Sequence, residues 1–221
     1  MRATSTKPRT TVHEGRQYVS VTSAMSLVKR ILGEPDDYVG INPQDLLMHQ
    51  LEGTACHAVC LDWLAHKYGW LPDCGAQAFP AAHQDEPRWH NVLHAALVGF
   101  QDFVEQYDVV PIGIEQPSFS PAYGLVGHLD LYCTLQWKRS RIKAVIDLKF
   151  VAGLMESHRL QVRCYGRLDG FKDSQMGFLY HANRSTGVWK LEPVHLQANL
   201  EDVAAVANAA RLWAWAEGKK S

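Results

Sequence analysis

Three groups of polar residues follow one another in the second half of the chain, at spacings that suit metal-dependent chemistry. They are Gly127 with Asp130, Asp147 with Lys149, and Gln161 with Tyr165. Carboxylates are the ligands that hard divalent cations such as Mg²⁺ prefer, and a nearby ammonium group can orient water or offset developing negative charge. These residue types in this order predict a site that cuts phosphodiester bonds with the help of a divalent cation.

Two predicted strands would position the first two groups. Residues 123–136 and 141–152 are rich in Val, Ile, Leu, Tyr and Cys, and the basic turn between them predicts a hairpin. Asp130 lies inside the apolar run of the first strand, where an unpaired charge is costly to bury, so it needs a metal, a cation or water. Because side chains alternate along a strand, Asp147 and Lys149 share one face of the second strand. That pair alone also fits an ordinary ion pair at a sheet surface.

A predicted helix follows, from about residue 157 to 168, with Ser157 as its N-cap. Helical periodicity places Gln161 and Tyr165 on the inward stripe and three arginines on the opposite side. By itself, the glutamine–tyrosine pair fits satisfied polar residues over the core as well as it fits a functional site. Its position after the acid–lysine strand favours the site. The arginines favour a solvated helix surface over a nucleic-acid contact. They are Arg159, Arg163 and Arg167.

The ordered patterns Gly-x-x-Asp, Asp/Glu-x-Lys and Gln-x-x-x-Tyr resemble the RecB-like branch of the PD-(D/E)XK nuclease superfamily. This branch includes the RecB nuclease domain, the CRISPR-adaptation nucleases with an iron–sulfur cluster, and the mitochondrial genome-maintenance exonuclease. The resemblance covers roughly residues 50–182. It implies an α/β fold with a restriction-endonuclease-like core, in which a central mixed sheet is flanked by helices and preceded by an N-terminal helical portion.

The resemblance also implies roles for individual residues. Asp130 and Asp147 would bind Mg²⁺ or Mn²⁺ together with the main-chain carbonyl of Leu148. Lys149 would assist the attacking water, and the glutamine and tyrosine of the following helix would organise the site.

Two upstream residues are further metal-ligand candidates. Gly53 and His57 match a Gly-x-x-x-His motif on a predicted helix from Pro43 to Tyr68. A lone histidine on an apolar helix face is more often a hydrogen-bonded core residue, but the resemblance places a metal-binding histidine here. Glu115, on a predicted strand over residues 110–119, fits either a direct or water-mediated metal ligand or an ordinary strand-face carboxylate.

The five cysteines are expected to be free and largely buried thiols. They are Cys56, Cys60, Cys74, Cys133 and Cys164. Cluster-bearing members of the similar family place a cysteine group near the C-terminus, and no cysteine follows Cys164 here. We therefore expect Mg²⁺ or Mn²⁺ and no iron–sulfur cluster.

Length and composition predict one domain over residues 1–221. The 221 residues can bury a substantial core, and the 47% hydrophobic content excludes general disorder. We expect a mainly helical part over residues 1–108 that carries the histidine motif, a sheet core over residues 109–196 and a C-terminal helix over residues 197–221. Apolar segments are too short for a membrane span and the N-terminus lacks a secretory apolar region, which predicts a cytoplasmic protein with no membrane partner. A prokaryotic or phage-infected cell is favoured.

These features together predict a deoxyribonuclease, with DNA as its partner. The favoured form is an exonuclease acting on DNA ends or single strands, in DNA repair, recombination or phage and defence processes. A nuclease-like, non-catalytic module that binds DNA or a protein partner is the alternative. The net charge of −1 gives no overall nucleic-acid signal. Phe150 is among the aromatic residues that are candidates for stacking on unpaired bases.

Overall fold

The computed structural model describes residues 9–34, 42–70, 87–198 and 200–218. Over these ranges the chain forms a mixed seven-stranded sheet flanked by helices, which confirms the α/β prediction. The strands are β1 (Thr10–His13), β2 (Arg16–Ser20), β3 (Val110–Ser120), β4 (Leu125–Trp137), β5 (Ser140–Lys149), β6 (Met176–Ala182) and β7 (Trp189–Val194). The helices are α1 (Val21–Leu32), α2 (Pro43–Lys67), α3 (Pro87–Gln106), α4 (Glu156–Tyr165) and α5 (Leu200–Gly218), with a 3₁₀ turn at Asp169–Phe171.

Strand β4 is the centre of the sheet. One of its edges pairs with β3 over most of its length, and the other edge pairs first with β2 and then with β5. The β2 pairing ends at Val126 and the β5 pairing begins at Leu131. Residues 127–130 therefore pair with neither strand on that edge, and β5 separates from β4 at Asp130. This gap lies at the point where the sequence predicts the site.

The predicted alternation of β5 is confirmed. Val145 packs in a core shared with α1, α4 and α5, whereas Ala144 and Ile146 pack in a second core beneath α2 and α3. Strand β4 departs from simple alternation at one place. Leu129 belongs to the first core and Leu131 to the second, although residues two apart on a regular strand face the same side. The alternation of side chains between the two faces of β4 is therefore interrupted at Asp130.

Residues 10–20 form the hairpin β1–β2, which joins the sheet ahead of α1. Three boundaries predicted in the second half of the chain were wrong. Helix α4 has Met155 rather than Ser157 at its N-cap and ends at Tyr165, and β5 ends at Lys149 rather than at residue 152. Within the described ranges, no helix is both long and apolar enough to span a membrane.

Helix α3 packs backbone to backbone against the β6–β7 turn. A Cβ atom on Gly99 would lie 2.1 Å from the carbonyl oxygen of Gly187. Gly187 has a φ of +71°, and a Cβ there would lie 2.3 Å from the carbonyl oxygen of Ala95. Only glycine permits this close approach at both positions.

We predict that Gly99→Ala destabilises the protein by roughly 1–3 kcal/mol, because the added methyl group must push the helix away from the turn. The free energy of unfolding, measured with a chemical denaturant, tests this. Gly153→Ala is the matched control, since its Cβ would meet nothing within 4 Å. Equal stability of the two variants would contradict the packing described here.

Candidate metal centre

Three side chains from three elements converge at the gap beside β4. His57 on α2, Glu115 on β3 and Asp130 on β4 each offer a ligand atom, and these atoms all lie within 4.8 Å of one another. The His57 Nδ1 atom is 3.5 Å from Asp130 Oδ2. One imidazole and two carboxylates at this separation match the donors that bind divalent cations. The group contains three potential ligands, whereas an ordinary ion pair contains two residues.

Glu115 lies opposite Asp130 on the paired strand. The register pairs Ile114 with Leu131 and Gln116 with Leu129, which brings the two acidic residues across from each other. Like charges at such positions are destabilising. Glu115 also has a φ of +48°, in the left-handed region that a glutamate rarely adopts. The charge repulsion and the unfavourable backbone conformation therefore occur at the same point of the sheet. A cation between the carboxylates would offset the repulsion.

The side chain of Asp130 accepts the hydrogen bond of the Leu148 amide in place of a backbone carbonyl of β4. Its Oδ2 atom accepts a hydrogen bond of 2.7 Å from the Leu148 amide, just where β5 has separated from β4. Burial raises the pKa of Asp130 to about 6, although Lys149 and the Leu148 amide oppose the rise. The carboxylate is thus held in a fixed orientation but is poorly solvated.

His57 is neutral at neutral pH and is therefore able to act as a ligand. Burial and the charge of Lys149 lower its pKa to about 4, whereas Asp147 and a hydrogen bond to the backbone of Leu148 raise it. A hydrogen bond from the ring to a carbonyl oxygen favours the protonated imidazole and therefore raises its pKa. The ring packs edge-on against Phe150, with centroids 5.5 Å apart. Backbone groups of Leu148 thus contact both His57 and Asp130.

Asp147 and Lys149 form an ion pair beside this group. Lys149 Nζ lies 2.6 Å from Asp147 Oδ2, and the Asp147 side chain is only 2% exposed. Burial raises the pKa of Asp147 to about 6, and Asp130 adds to the rise while Lys149 and His57 reduce it. Asp147 is therefore close enough to interact with the cluster electrostatically. In this arrangement it lies beside the three-residue group rather than within it.

Gln161 and Tyr165 are hydrogen-bonded to each other on α4, and the tyrosine ring packs against the sheet. Gln161 Nε2 donates a hydrogen bond of 2.8 Å to Tyr165 Oη, and both residues are buried. Tyr165 also hydrogen-bonds to the side chain of Thr22 on α1, a partner that the sequence pattern does not indicate. Its ring lies against Gly127, where a Cβ would be 2.7 Å from Tyr165 Cε1. The glycine of the first motif therefore makes room for the tyrosine of the third.

The arginines on α4 and just after it are engaged within the protein. Arg159 binds Glu192 at 2.5 Å, Arg163 binds Glu156 at 2.9 Å, and Arg167 donates to the Leu196 carbonyl at 2.6 Å. These contacts agree with leaving the stripe out of the site, but the side chains are paired rather than simply solvated.

Four cysteines are free and buried, as predicted. They are Cys56, Cys60, Cys133 and Cys164, whereas Cys74 lies outside the described residues. Burial raises the pKa of each thiol, which disfavours the thiolate form that binds metals.

The structure thus brings together His57, Glu115 and Asp130, with Asp147, Lys149 and the Leu148 backbone next to them. Glu115, for which the sequence left two interpretations open, lies in the convergent group. The roles of all these residues stay predictions.

Comparisons with known proteins give little further information. No protein-family model matches the chain, and no curated protein is similar to it. The crystal structure of a protein named SSO0001 resembles the chain with a TM-score of 0.35 and 10% identity, over 72% of this chain and 73% of that chain. A likeness this weak implies nothing about function.

We expect the metal-free protein to lose stability as the pH rises. The pKa values of Asp130 and Asp147 are about 6 and that of Glu115 is about 7, above the usual values for these carboxyl groups. A raised folded-state pKa stabilises the fold at low pH, and this contribution is lost as the pH rises through about 6 to 7. The lowered pKa of His57, about 4, acts in the opposite sense as the pH falls. Thermal unfolding in chelator across this range measures the net effect.

Asp130→Asn separates the charge from the hydrogen bond, because asparagine can still accept from the Leu148 amide. At about pH 8 in chelator, where wild-type carboxyls are ionised, the variant should unfold at a higher temperature than wild type. It should also lose most of the stabilisation that Mn²⁺ gives to wild type. Asp169→Asn is the control, since that exposed carboxylate pairs with Lys172 at 2.6 Å. A wild-type Mn²⁺ response in Asp130→Asn would exclude the centre.

We predict that Gly127→Ala costs roughly 1–3 kcal/mol of stability, because its methyl group would overlap the Tyr165 ring. Chemical denaturation measures the loss, and near-ultraviolet circular dichroism reports displacement of the tyrosine. The control Gly53→Ala adds a methyl group with nothing within 4 Å and should leave the protein as stable as wild type or slightly more so. Unchanged stability of Gly127→Ala would show that the ring can move aside freely.

Proposed function

We propose that this protein is a divalent-metal-dependent deoxyribonuclease that hydrolyses phosphodiester bonds. The observation that carries the proposal is the convergence of His57, Glu115 and Asp130 beside the Asp147–Lys149 ion pair. The resemblance of the sequence motifs to RecB-like nucleases supports it. In the proposed form the protein is an exonuclease on DNA ends or single strands, active in DNA repair, recombination or phage and defence processes in the cytoplasm.

The donor set fits Mg²⁺ or Mn²⁺. His57, Glu115 and Asp130 would hold the ion, with Asp147 and the Leu148 carbonyl as the neighbouring oxygen donors. The ion would lower the pKa of a water molecule and offset the negative charge of the reacting phosphate. Burial is the main cause of the raised pKa values of the three carboxyls, and neighbouring carboxylates add to the rise for Glu115 and Asp147. A bound cation would offset that repulsion between carboxylates.

Electrostatics favours a phosphate substrate only when a cation is bound. With neutral His57, the ionised cluster has three carboxylates, Glu115, Asp130 and Asp147, against the single ammonium group of Lys149. This excess of negative charge would repel a phosphodiester. A divalent cation reverses the balance, so DNA binding at this point and metal binding should depend on each other.

Lys149 is the group best placed to act on the attacking water. Its side chain is 16% exposed, and Asp147 holds its ammonium group at 2.6 Å. An ammonium fixed in this way can donate a hydrogen bond to water or to a phosphate oxygen and can stabilise charge that develops there. Asp147 therefore positions Lys149, in addition to any contact with the ion.

The Asp147–Lys149 ion pair also fits the alternative function. In a non-catalytic module that binds DNA or a protein partner, the pair would satisfy both charges without a metal. The two functions differ in how they respond to Asp147→Asn. A nuclease would lose cleavage, whereas a binding module would retain its affinity.

We predict that the purified protein degrades end-labelled DNA with Mg²⁺ or Mn²⁺ and not in chelator. Lys149→Ala should lower the cleavage rate by about a hundredfold or more, because it removes the positioned ammonium group. Lys143→Ala is the matched control, since Lys143 lies on the same strand, is exposed and pairs with Asp173. Circular dichroism confirms that each variant is folded.

Single-stranded, duplex and closed circular substrates separate cleavage at ends from cleavage within strands. Absence of metal-dependent cleavage on all three substrates would refute the nuclease proposal. Cleavage that survives Lys149→Ala unchanged would refute the role of Lys149.

A further inference from the structure

A cavity of about 520 Å³ lies next to the candidate metal centre. Its lining comes from α2, the segment after β5 and the β6–β7 hairpin, and includes His49, Phe150, Ala152, His181, Arg184 and Lys190. Phe150 links the two sites, because its ring also packs edge-on against His57. A ligand that fills the cavity would therefore extend toward the bond-cleaving centre.

The cavity has the opposite charge to the metal centre. Arg184 and Lys190 line it, and no aspartate or glutamate is among the described lining residues, although buried Glu52 behind the wall offsets the charge of Arg184. His49 and His181 add two imidazole rings to the lining. An anionic group beside the metal centre would thus be attracted to this side of it.

Arg184 is held in place by buried Glu52 and half-buried His49. Its Nε atom lies 3.1 Å from Oε2 of Glu52, whose side chain is only 3% exposed. One Nη atom donates to the His49 carbonyl at 3.2 Å, and the other contacts the His49 ring. A guanidinium has five N–H donors, so these three contacts leave two for a ligand. Arg184 is therefore a fixed donor with capacity toward the cavity, as a phosphate-binding arginine requires.

We propose that this cavity binds the phosphates of an unpaired DNA strand next to the bond that is cleaved, with Arg184 and Lys190 as the phosphate contacts. The inference rests on the proposed function and specifies its substrate as a single strand. The volume is within the roughly 300–1,000 Å³ typical of pockets that enclose one small ligand, which is room for about one or two nucleotides. The volume is too small to enclose both strands of a duplex.

Contacts to phosphate rather than base stacking would hold the strand. Phe150 is only 4% exposed, so it forms part of the wall and offers no open ring face to a base. Lys190 is exposed at the edge of the cavity, where a flexible ammonium group can follow a sugar–phosphate backbone. Such contacts do not read sequence.

The decisive measurement is equilibrium binding of a fluorescently labelled single-stranded oligonucleotide with Ca²⁺ in place of Mg²⁺ or Mn²⁺, so that a divalent cation offsets the carboxylates of the metal centre. Recovery of the intact oligonucleotide confirms that binding is followed without cleavage. Lys190→Ala should weaken binding and reduce the slope of log affinity against log salt by about 0.7, the contribution of one phosphate contact on a single strand. Lys190→Glu should weaken binding further. Ala152→Trp should also weaken it, because the indole would occupy the cavity.

Lys190 is the better test residue, because replacing Arg184 would break its buried ion pair with Glu52. Arg139→Glu is the control for charge, since Arg139 lies in the exposed β4–β5 turn and does not line the cavity. Its affinity should match that of the wild type. Closed circular duplex should bind equally to wild type and Lys190→Ala.

The proposal is overturned if the wild type does not bind the oligonucleotide, or if both Lys190 variants bind it with unchanged affinity and salt slope. An equal loss with Arg139→Glu, or an equal loss on closed duplex, also overturns it. A parallel digestion with Mn²⁺ separates the two proposals. Lys190-dependent binding without any cleavage would support the cavity and refute the nuclease, whereas cleavage with Lys190-independent binding would do the reverse.

Discussion

The mutual repulsion of closely spaced carboxylates is the constraint around which this structure is built. Asp130 and Glu115 face each other across two paired strands, and buried Asp147 lies close by. The chain limits the cost with one amide from Leu148, one ammonium from Lys149 and a neutral imidazole. A fold selected only for stability would have apolar residues here. The proposed cation would offset this cost.

Much of the fold follows from periodicity in the sequence. Alternation along β5 places Asp147 on the opposite face of the strand from its apolar neighbours Ile146 and Leu148. Residues of the two faces of β5 accordingly pack in two separate cores. Helical spacing likewise turns Gln161 and Tyr165 toward the sheet. Both predictions succeed because each depends on local geometry, which a short window of residues determines.

Other features depend on contacts between distant segments, which no local pattern reports. The β1–β2 hairpin is formed by polar, exposed residues at its outer strand, and it is identified by its pairing with β4. The sequence leaves Glu115 open between a metal ligand and a strand-face carboxylate, because neither its positive φ nor its position opposite Asp130 can be read from the residues around it. Arg184 meets Glu52 across more than half of the chain. Two features thus required three-dimensional information: the position of Glu115, the third candidate ligand, and the neighbouring cavity.

The location of His57 gives the centre a mechanical consequence. Glu115 and Asp130 belong to the sheet, whereas His57 belongs to α2, which packs on one face of it. An ion bound by these three side chains would form a reversible cross-link between the helix and the sheet. Local opening of α2 would then require release of the ion, so occupancy would set how rigidly the helical layer is docked.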